Sequence, residues 1–356
     1  MQPNKWRVIP AGRGRPALFL AILMALAVFL GPPPAQAQGL ILDIYKPEKV
    51  YPGTTVFVDT VDPLRPRIVE IDMQARPVWE YEIPAEIAAG GRPERAADVE
   101  WVPATDTFLF VMPYKGVYEV NRAKKIIWQY ETQKISHDAD RLANGNTLYT
   151  WGWDSKDDAQ VTEINPKGNI VWQWFGAKHL QDNWRRHRRS IEEDGYCHTN
   201  GALRLPNGHT LISLRNFSML VEVNPAGDIL WQARRMRYVH SPDPLPNGNI
   251  LLSMHAPQKM VQINRAGEIV WEFAKDDVAT VRYNKLLPNG NIFFAERTKL
   301  MEITPDKEIV WQVRKKDVAW EFDERSRIEI ESYKRRGLPV PKEQWFYTGY
   351  RIPGKK

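Results

Sequence analysis

One pattern recurs six times along this chain and constrains its fold more than any other feature. Aligned on a terminal Trp, the copies end at Trp79 (IVEIDMQARPVW), Trp128 (VYEVNRAKKIIW), Trp172 (VTEINPKGNIVW), Trp231, Trp271 and Trp311 (LMEITPDKEIVW). The last three of these tryptophans are 40 residues apart, a period characteristic of β-propeller blades, whereas solenoids of similar period are mostly helical. Within a copy, alternating apolar residues flank an Asn-Gly pair, as in RLANGNTLYT (Arg141 to Thr150). Asn-Gly predicts a type I′ hairpin, in which both central residues need positive φ. A third strand (Met260 to Asn264 in the fifth copy) and a fourth (Glu268 to Trp271) follow after a second short turn. Four antiparallel strands make a blade and six blades close a ring, so the expected class is all-β, a six-bladed β-propeller of four-stranded antiparallel blades. The repeating Trp is expected to pack between neighbouring blades.

Residues 1–37 read as a signal peptide. Lys5, Arg7, Arg13 and Arg15 precede an apolar run from Ala17 to Leu30, and Ala35-Gln36-Ala37 fits cleavage after Ala37. The expected location is periplasmic or secreted, or membrane-anchored if the segment is not cleaved. No stable membrane insertion is expected after cleavage. Without the segment, Lys+Arg falls from 49 to 45 against 43 Asp+Glu, so the formal charge drops from +6 to +2. That removes the charge argument for a nucleic-acid partner. The single cysteine, Cys197, rules out an internal disulfide and a cysteine-based metal site. The propeller is expected over residues 38–316, with an insertion at 175–197 that carries WRRHRR (Trp184 to Arg189) on one face. A C-terminal extension, 317–356, opens with a charged, helix-compatible stretch (Asp323 to Arg335) and is expected to pack on the outside of the ring.

In a propeller, one residue type repeated at one blade position forms a ring around the axis. Seven residues before the turn Asn stand His137, His240 and Arg282, while His198 lies two further back in its copy, on the same strand face. Eight residues after the same Asn stand Arg215, His255 and Arg297, with Gly152 at the equivalent place in the third copy. The two sets are expected to meet at one mouth of the central channel. Imidazoles and guanidiniums without a matching set of carboxylates suit an anion such as a sulfate or phosphate ester.

These residues resemble the bacterial aryl-sulfate sulfotransferases. The likeness is carried by IVWQW followed by KHL (Ile170 to Leu180), HTN (His198 to Asn200), SLRN (Ser213 to Asn216), the Asn-Gly turns and the later histidine before PNGN. The resemblance implies a periplasmic six-bladed propeller in which a channel histidine attacks the sulfur of an aryl sulfate and a second phenol resolves the sulfohistidine, with no cofactor. By motif position His240 matches the nucleophile, and His198, Asn200 and Arg215 match the groups that bind and polarise the sulfuryl group. His137 matches a further pocket histidine. The implied partners are a small-molecule aryl sulfate and a phenol; His255, Arg282 and Arg297 join the expected substrate-binding set. The chain departs from the family pattern at Ser241-Pro242-Asp243, where an Asp usually follows the histidine, at Tyr196-Cys197 in place of Asp-Trp, and at SMHA (Ser253 to Ala256) in place of FDNG.

Two other readings compete. A non-catalytic quinoprotein-like propeller would act as an envelope binding or scaffold module through a blade edge or loop face. A quinone-cofactor dehydrogenase would need a calcium with acidic ligands, and no carboxylate cluster is evident among the histidine positions. Metal binding by the histidines is disfavoured by the nearby arginines.

Overall fold

The computed structural model describes residues 39–60, 65–92, 96–186, 189–255, 258–275, 278, 280–315 and 346–354. The signal segment, His187 and Arg188 of the basic run, and the charged stretch Asp323 to Arg335 lie outside the described residues. The rest is a six-bladed propeller of antiparallel sheets. Blades two to six begin with the innermost strands Asp98–Val102, Ala139–Arg141, Thr199–Arg204, Val239–Pro244 and Tyr283–Leu286, and each then runs outward through three further strands.

Blade one is closed differently from the expectation of an external tail. Its innermost strand is Tyr350–Pro353, which pairs with Gly53–Asp59, so the C-terminal residues form part of the channel wall. At the other end, Leu40–Tyr45 adds a fifth, outermost strand to blade six by pairing with Ile309–Lys315. Both ends of the propeller thus complete a sheet built mainly from distant residues.

The Asn-Gly hairpins are not type I′. Gly145, Gly208, Gly248 and Gly290 have positive φ, but the preceding asparagines do not. Each turn is a type I turn followed by a left-handed glycine, as in the Gly145 N–H to Leu142 carbonyl bond of 2.9 Å. The Asn instead uses its side chain: Asn144 Oδ1 accepts from the Asn146 amide at 3.0 Å, and Asn207, Asn247 and Asn289 repeat the bond.

Among the described residues no strand ladder crosses from one blade to the next, so side chains hold the ring together. The terminal tryptophans lie between blades as expected. The indole N–H groups of Trp79, Trp128, Trp172, Trp231 and Trp311 donate to the carbonyls of Arg122, Pro166, Pro225, Arg265 and Met73, each in the following blade. An arginine of that following blade covers the indole face in four cases: Arg141 on Trp128 (4.3 Å), Arg204 on Trp172 (4.6 Å), Arg265 on Trp231 (5.1 Å) and Arg351 on Trp311 (4.5 Å). The same arginines pair with third-strand glutamates of the blade before: Arg141 with Glu119 (2.7 Å), Arg204 with Glu163 (2.5 Å), Arg351 with Glu302 (3.2 Å), and Arg265 with Glu222.

Inner strands are stitched by carboxylates. Glu100 accepts the Arg141 amide at 3.0 Å, Asp138 the Ala202 amide at 2.7 Å and Asp243 the Leu286 amide at 2.8 Å, each across a blade boundary. Buried amides that would otherwise be unpaired are satisfied this way.

The latch between blades six and one closes the ring, with Trp311 fully buried against Met73 and Arg351. Trp311→Phe keeps an aromatic face but deletes the bond to Met73. It is expected to cost about 1–2 kcal/mol, read as a lower urea midpoint; an unchanged midpoint would show that closure does not depend on this bond.

Candidate functional site

Aligning the blades by strand pairing identifies the true ring position. The inner-strand residues Arg351, Trp101, Arg141, Arg204, Pro244 and Leu286 occupy equivalent places, facing Thr55, Phe108, Thr147, Thr210, Ile250 and Ile292. Four residues before them stand Tyr347, Ala97, His137, Asn200, His240 and Arg282. The blade-four member is therefore Asn200, and His198 lies two residues outside the ring. The blade-one member is Tyr347, which sequence reasoning left in an external tail. Its place in the ring depends on the pairing of Tyr350–Pro353, which no local pattern announces.

His137, Asn200, His240, Arg282 and Tyr347 line a central cavity of about 300 Å³. Ring centroids of Tyr347 lie 5.8 Å from His137 and 6.4 Å from His240, and the Arg282 guanidinium stands 5.3 Å over the Tyr347 ring. His198, Arg215, His255 and Arg297 do not line this cavity but adjoin the groups that do. His198 is 5.0 Å from His137, and His255 is 6.1 Å from His240. Arg297 is fully buried, and its charge reaches His255.

Two hydrogen-bond chains fix the histidines. The Asn200 amide nitrogen donates to the Val239 carbonyl at 2.9 Å, which sets the orientation of the amide, and its second hydrogen points to His240 Nε2 at 3.0 Å. Nε2 is thus the acceptor and carries the free-base lone pair of His240. His198 Nδ1 donates to the Asp194 carbonyl at 2.7 Å, while Arg215 Nη1 approaches His198 Nε2 at 2.8 Å. Arg215 also meets Asp194 Oδ1 at 3.1 Å and lies 4.6 Å over the Tyr238 ring. Its Nε, and the Asn200 carbonyl oxygen, are buried without a hydrogen-bond partner.

Asp194 comes from the insertion. Ser190 caps the short helix Ile191–Asp194 by accepting the Glu193 amide, and Gly195 ends it at positive φ. Asp154 then holds the following turn, accepting the Cys197 amide at 2.9 Å and the His198 amide at 3.0 Å. Gly152 explains the gap in the second histidine-arginine set. A Cβ there would fall 2.4 Å from His137 Cε1, so the place is already filled by that imidazole.

Burial and the surrounding positive charge of His255, Arg282, His137 and Arg215 push the His240 pKa well below its ordinary value of 6.5. His255 is lowered likewise by burial, then by Arg282 and Arg215. The expectation of no carboxylates near the site is corrected. Asp98, Glu100, Asp138, Asp140 and Asp243 line the same cavity farther along the inner strands. Burial, reinforced by Asp98 for Asp140, raises Asp98 to about 6 and Asp140 to about 7. Burial and neighbouring carboxylates hold Glu100 and Asp138 well above their ordinary values, so this part of the cavity is less negative than its residue count. Among the described residues no group of three or more His, Cys, Asp or Glu side chains is arranged to hold a metal ion.

The departure after His240 has a structural form. Ser241 adopts φ 37° and the strand pairing slips between His240 and Asp243, a bulge that turns Asp243 toward Leu286 and Lys285. A similar slip between Thr199 and Gly201 sets Asn200.

Fold and site together define a six-bladed propeller with a histidine-arginine pocket on its axis. Residues 102–241 match the family model described as Arylsulfotransferase (ASST), a stretch that contains His137, His198, Asn200, Arg215 and His240. The resemblance to the aryl-sulfate sulfotransferases is borne out by this match. No curated protein matches the chain. Among solved structures, a protein of unknown function from Bacteroides caccae is similar at TM-score 0.54 and 18% identity, covering 73% of this chain and 93% of that one. A streptogramin B lyase is similar at TM-score 0.49 and 11% identity, covering 80% and 90%. At these identities the likeness concerns the fold alone. No described helix is long and apolar enough to cross a membrane.

The Tyr347 hydroxyl is buried with no hydrogen-bond partner. Such a group destabilises the fold, so Tyr347→Phe is expected to leave the thermal midpoint unchanged or raise it slightly. A loss of about 1 kcal/mol or more would show that the hydroxyl is bonded in solution.

Proposed function

We propose that this protein transfers a sulfuryl group from a phenolic sulfate ester to a phenolic acceptor through a sulfohistidine at His240. We place it in the periplasm or outside the cell, following the export signal expected in residues 1–37. The observation that carries the reading is the state of His240. It is buried on the axis, kept in its neutral form by burial and adjacent cations, and presents an Nε2 lone pair that accepts from the Asn200 amide. A neutral imidazole is a competent nucleophile near neutral pH.

In this reading the Nε2 lone pair forms a bond to sulfur as the ester S–O bond breaks, and the bonding pair leaves on the phenolate oxygen, which takes a proton from solvent. The Asn200 N–H shifts from Nε2 to a sulfuryl oxygen as that lone pair is committed. The Arg282 guanidinium stabilises the transferring oxygens, whose charge is spread as in phosphoryl transfer, and Arg215 adds its positive charge from beside the cavity. The acceptor oxygen then attacks sulfur, the N–S bond breaks, its electron pair returns to Nε2, and the acceptor proton passes to solvent. The Tyr347 ring forms an aromatic wall for the aryl group beside His137 and His240. His198 acts through Arg215, holding its guanidinium in place together with Asp194.

A transfer assay with an aryl sulfate and excess phenol tests the reading directly. His240→Ala is expected to lower turnover by at least about a thousandfold; a variant that keeps turnover within tenfold of wild type would sink the role. The pH profile gives a second test. A lowered pKa keeps His240 neutral as pH falls, so the acid limb of kcat/KM is expected below the ordinary histidine value of 6.5. A limb above that value would contradict a depressed nucleophile.

A further inference from the structure

The basic insertion takes no part in the mechanism above, yet it builds one wall of a second cavity. This vestibule, of about 550 Å³, lies between the insertion and the loop that enters blade five; among the described residues, Arg186, Arg189 and Arg237 line it with a single acid, Glu193. Neither Arg186 nor Arg237 forms an ion pair with a described residue, and both are exposed. Ser190 and Ser218 add hydroxyl donors to the lining.

The walls are fixed by backbone bonds. The Arg186 amide donates to the Asn216 carbonyl at 2.8 Å, and the Met236 amide to the Ser218 carbonyl at 2.9 Å. The Arg185 guanidinium ties the insertion to itself through the carbonyls of Tyr196, Gly195 and Arg189. Two side chains connect the vestibule to the histidine pocket. Tyr238 lines the vestibule while its ring carries Arg215 on one side and lies 5.5 Å from His255. Arg189 stands 4.0 Å from Asp194 Oδ1, the carboxylate that also holds Arg215.

Three guanidiniums against one carboxylate make a site for an oxyanion, separated from His240 by Tyr238 and His255, whose rings lie 5.5 Å apart, with His255 6.1 Å from His240. We propose that the vestibule is a subsite for a second anionic group, a carboxylate or sulfonate, borne by the aryl substrate. The identity of the ligand rests on the transferase reading, whereas the charge it carries rests on the vestibule alone. The proposal therefore assigns a substrate class: aryl compounds carrying an anion in addition to the group transferred.

Binding can be measured without turnover, using naphthalenedisulfonate and naphthalenesulfonate as non-transferable probes in calorimetry. The full-length protein is expected to bind the disulfonate about tenfold tighter, a preference that weakens with salt and is lost in Arg186→Glu/Arg237→Glu. Arg186→Gln/Arg237→Gln is expected to show an intermediate preference and guards against misfolding by charge reversal. Equal affinity for the two probes in wild type, or a preference kept by the charge-reversed variant, overturns the proposal. In the transfer assay the same variant is expected to raise KM for a carboxylated aryl sulfate and leave KM for an uncharged-ring aryl sulfate unchanged. A disulfonate preference in a wild-type protein with no transferase activity would support the vestibule and defeat the transferase reading; transferase activity with no disulfonate preference would do the reverse.

Discussion

Among the described residues the blades of this propeller share no strand ladder, and much of the rest of the structure follows from how side chains bridge that break. Five of the six terminal tryptophans reach a carbonyl of the next blade, and arginines fill the angle between an indole face and a glutamate. On the axis, the same problem is solved by carboxylates that accept inner-strand amides across the boundary. The scaffold thereby places a row of polar groups on the channel wall. Structural carboxylates occupy its far part, and the histidines, Asn200 and Arg282 its near part.

Charge separation along one channel explains the chemistry better than any single residue. His240 is surrounded by groups that are cationic or become so, and burial adds to the penalty, so the imidazole stays neutral. Asp138 and Asp140 farther along are themselves pushed toward their protonated forms by burial and by neighbouring carboxylates. Asp194 organises the other side of the site, since it holds both His198 and Arg215 from an inserted helix. An anion entering near Arg215 and Arg282 meets guanidiniums already fixed by the fold, which reduces the reorganisation needed when charge develops.

Much of the fold was legible because the repeat is itself a physical statement: a terminal Trp in each of six copies, the last three 40 residues apart, and an Asn-Gly turn in the last four mark blades that must pack alike. The histidine pattern was legible for the same reason, and His137, His240 and Arg282 share one ring position. The same count of seven before the turn gives Asn200 in blade four, and strand pairing places it there; His198 was chosen over it for its residue type, two positions farther back. Tyr347 was not legible. It belongs to a strand that completes blade one from the far end of the sequence, and only tertiary pairing sets its register. The turn type was missed because the Asn side chain closes an Asx turn, which relieves the asparagine of the positive φ that type I′ demands. Asp194 and Asp154 escaped notice because they lie in segments that obey no repeat.

The claim at the centre of this account is that His240 Nε2 bonds covalently to sulfur. It is tested most directly by mixing the protein with an aryl sulfate in the absence of acceptor, quenching under alkaline conditions and mapping peptides by mass spectrometry. The account predicts one sulfuryl adduct per chain, located on the peptide containing His240 and discharged when a phenol is added before the quench. An adduct on another residue, or release of phenol with no adduct before the acceptor arrives, would contradict it.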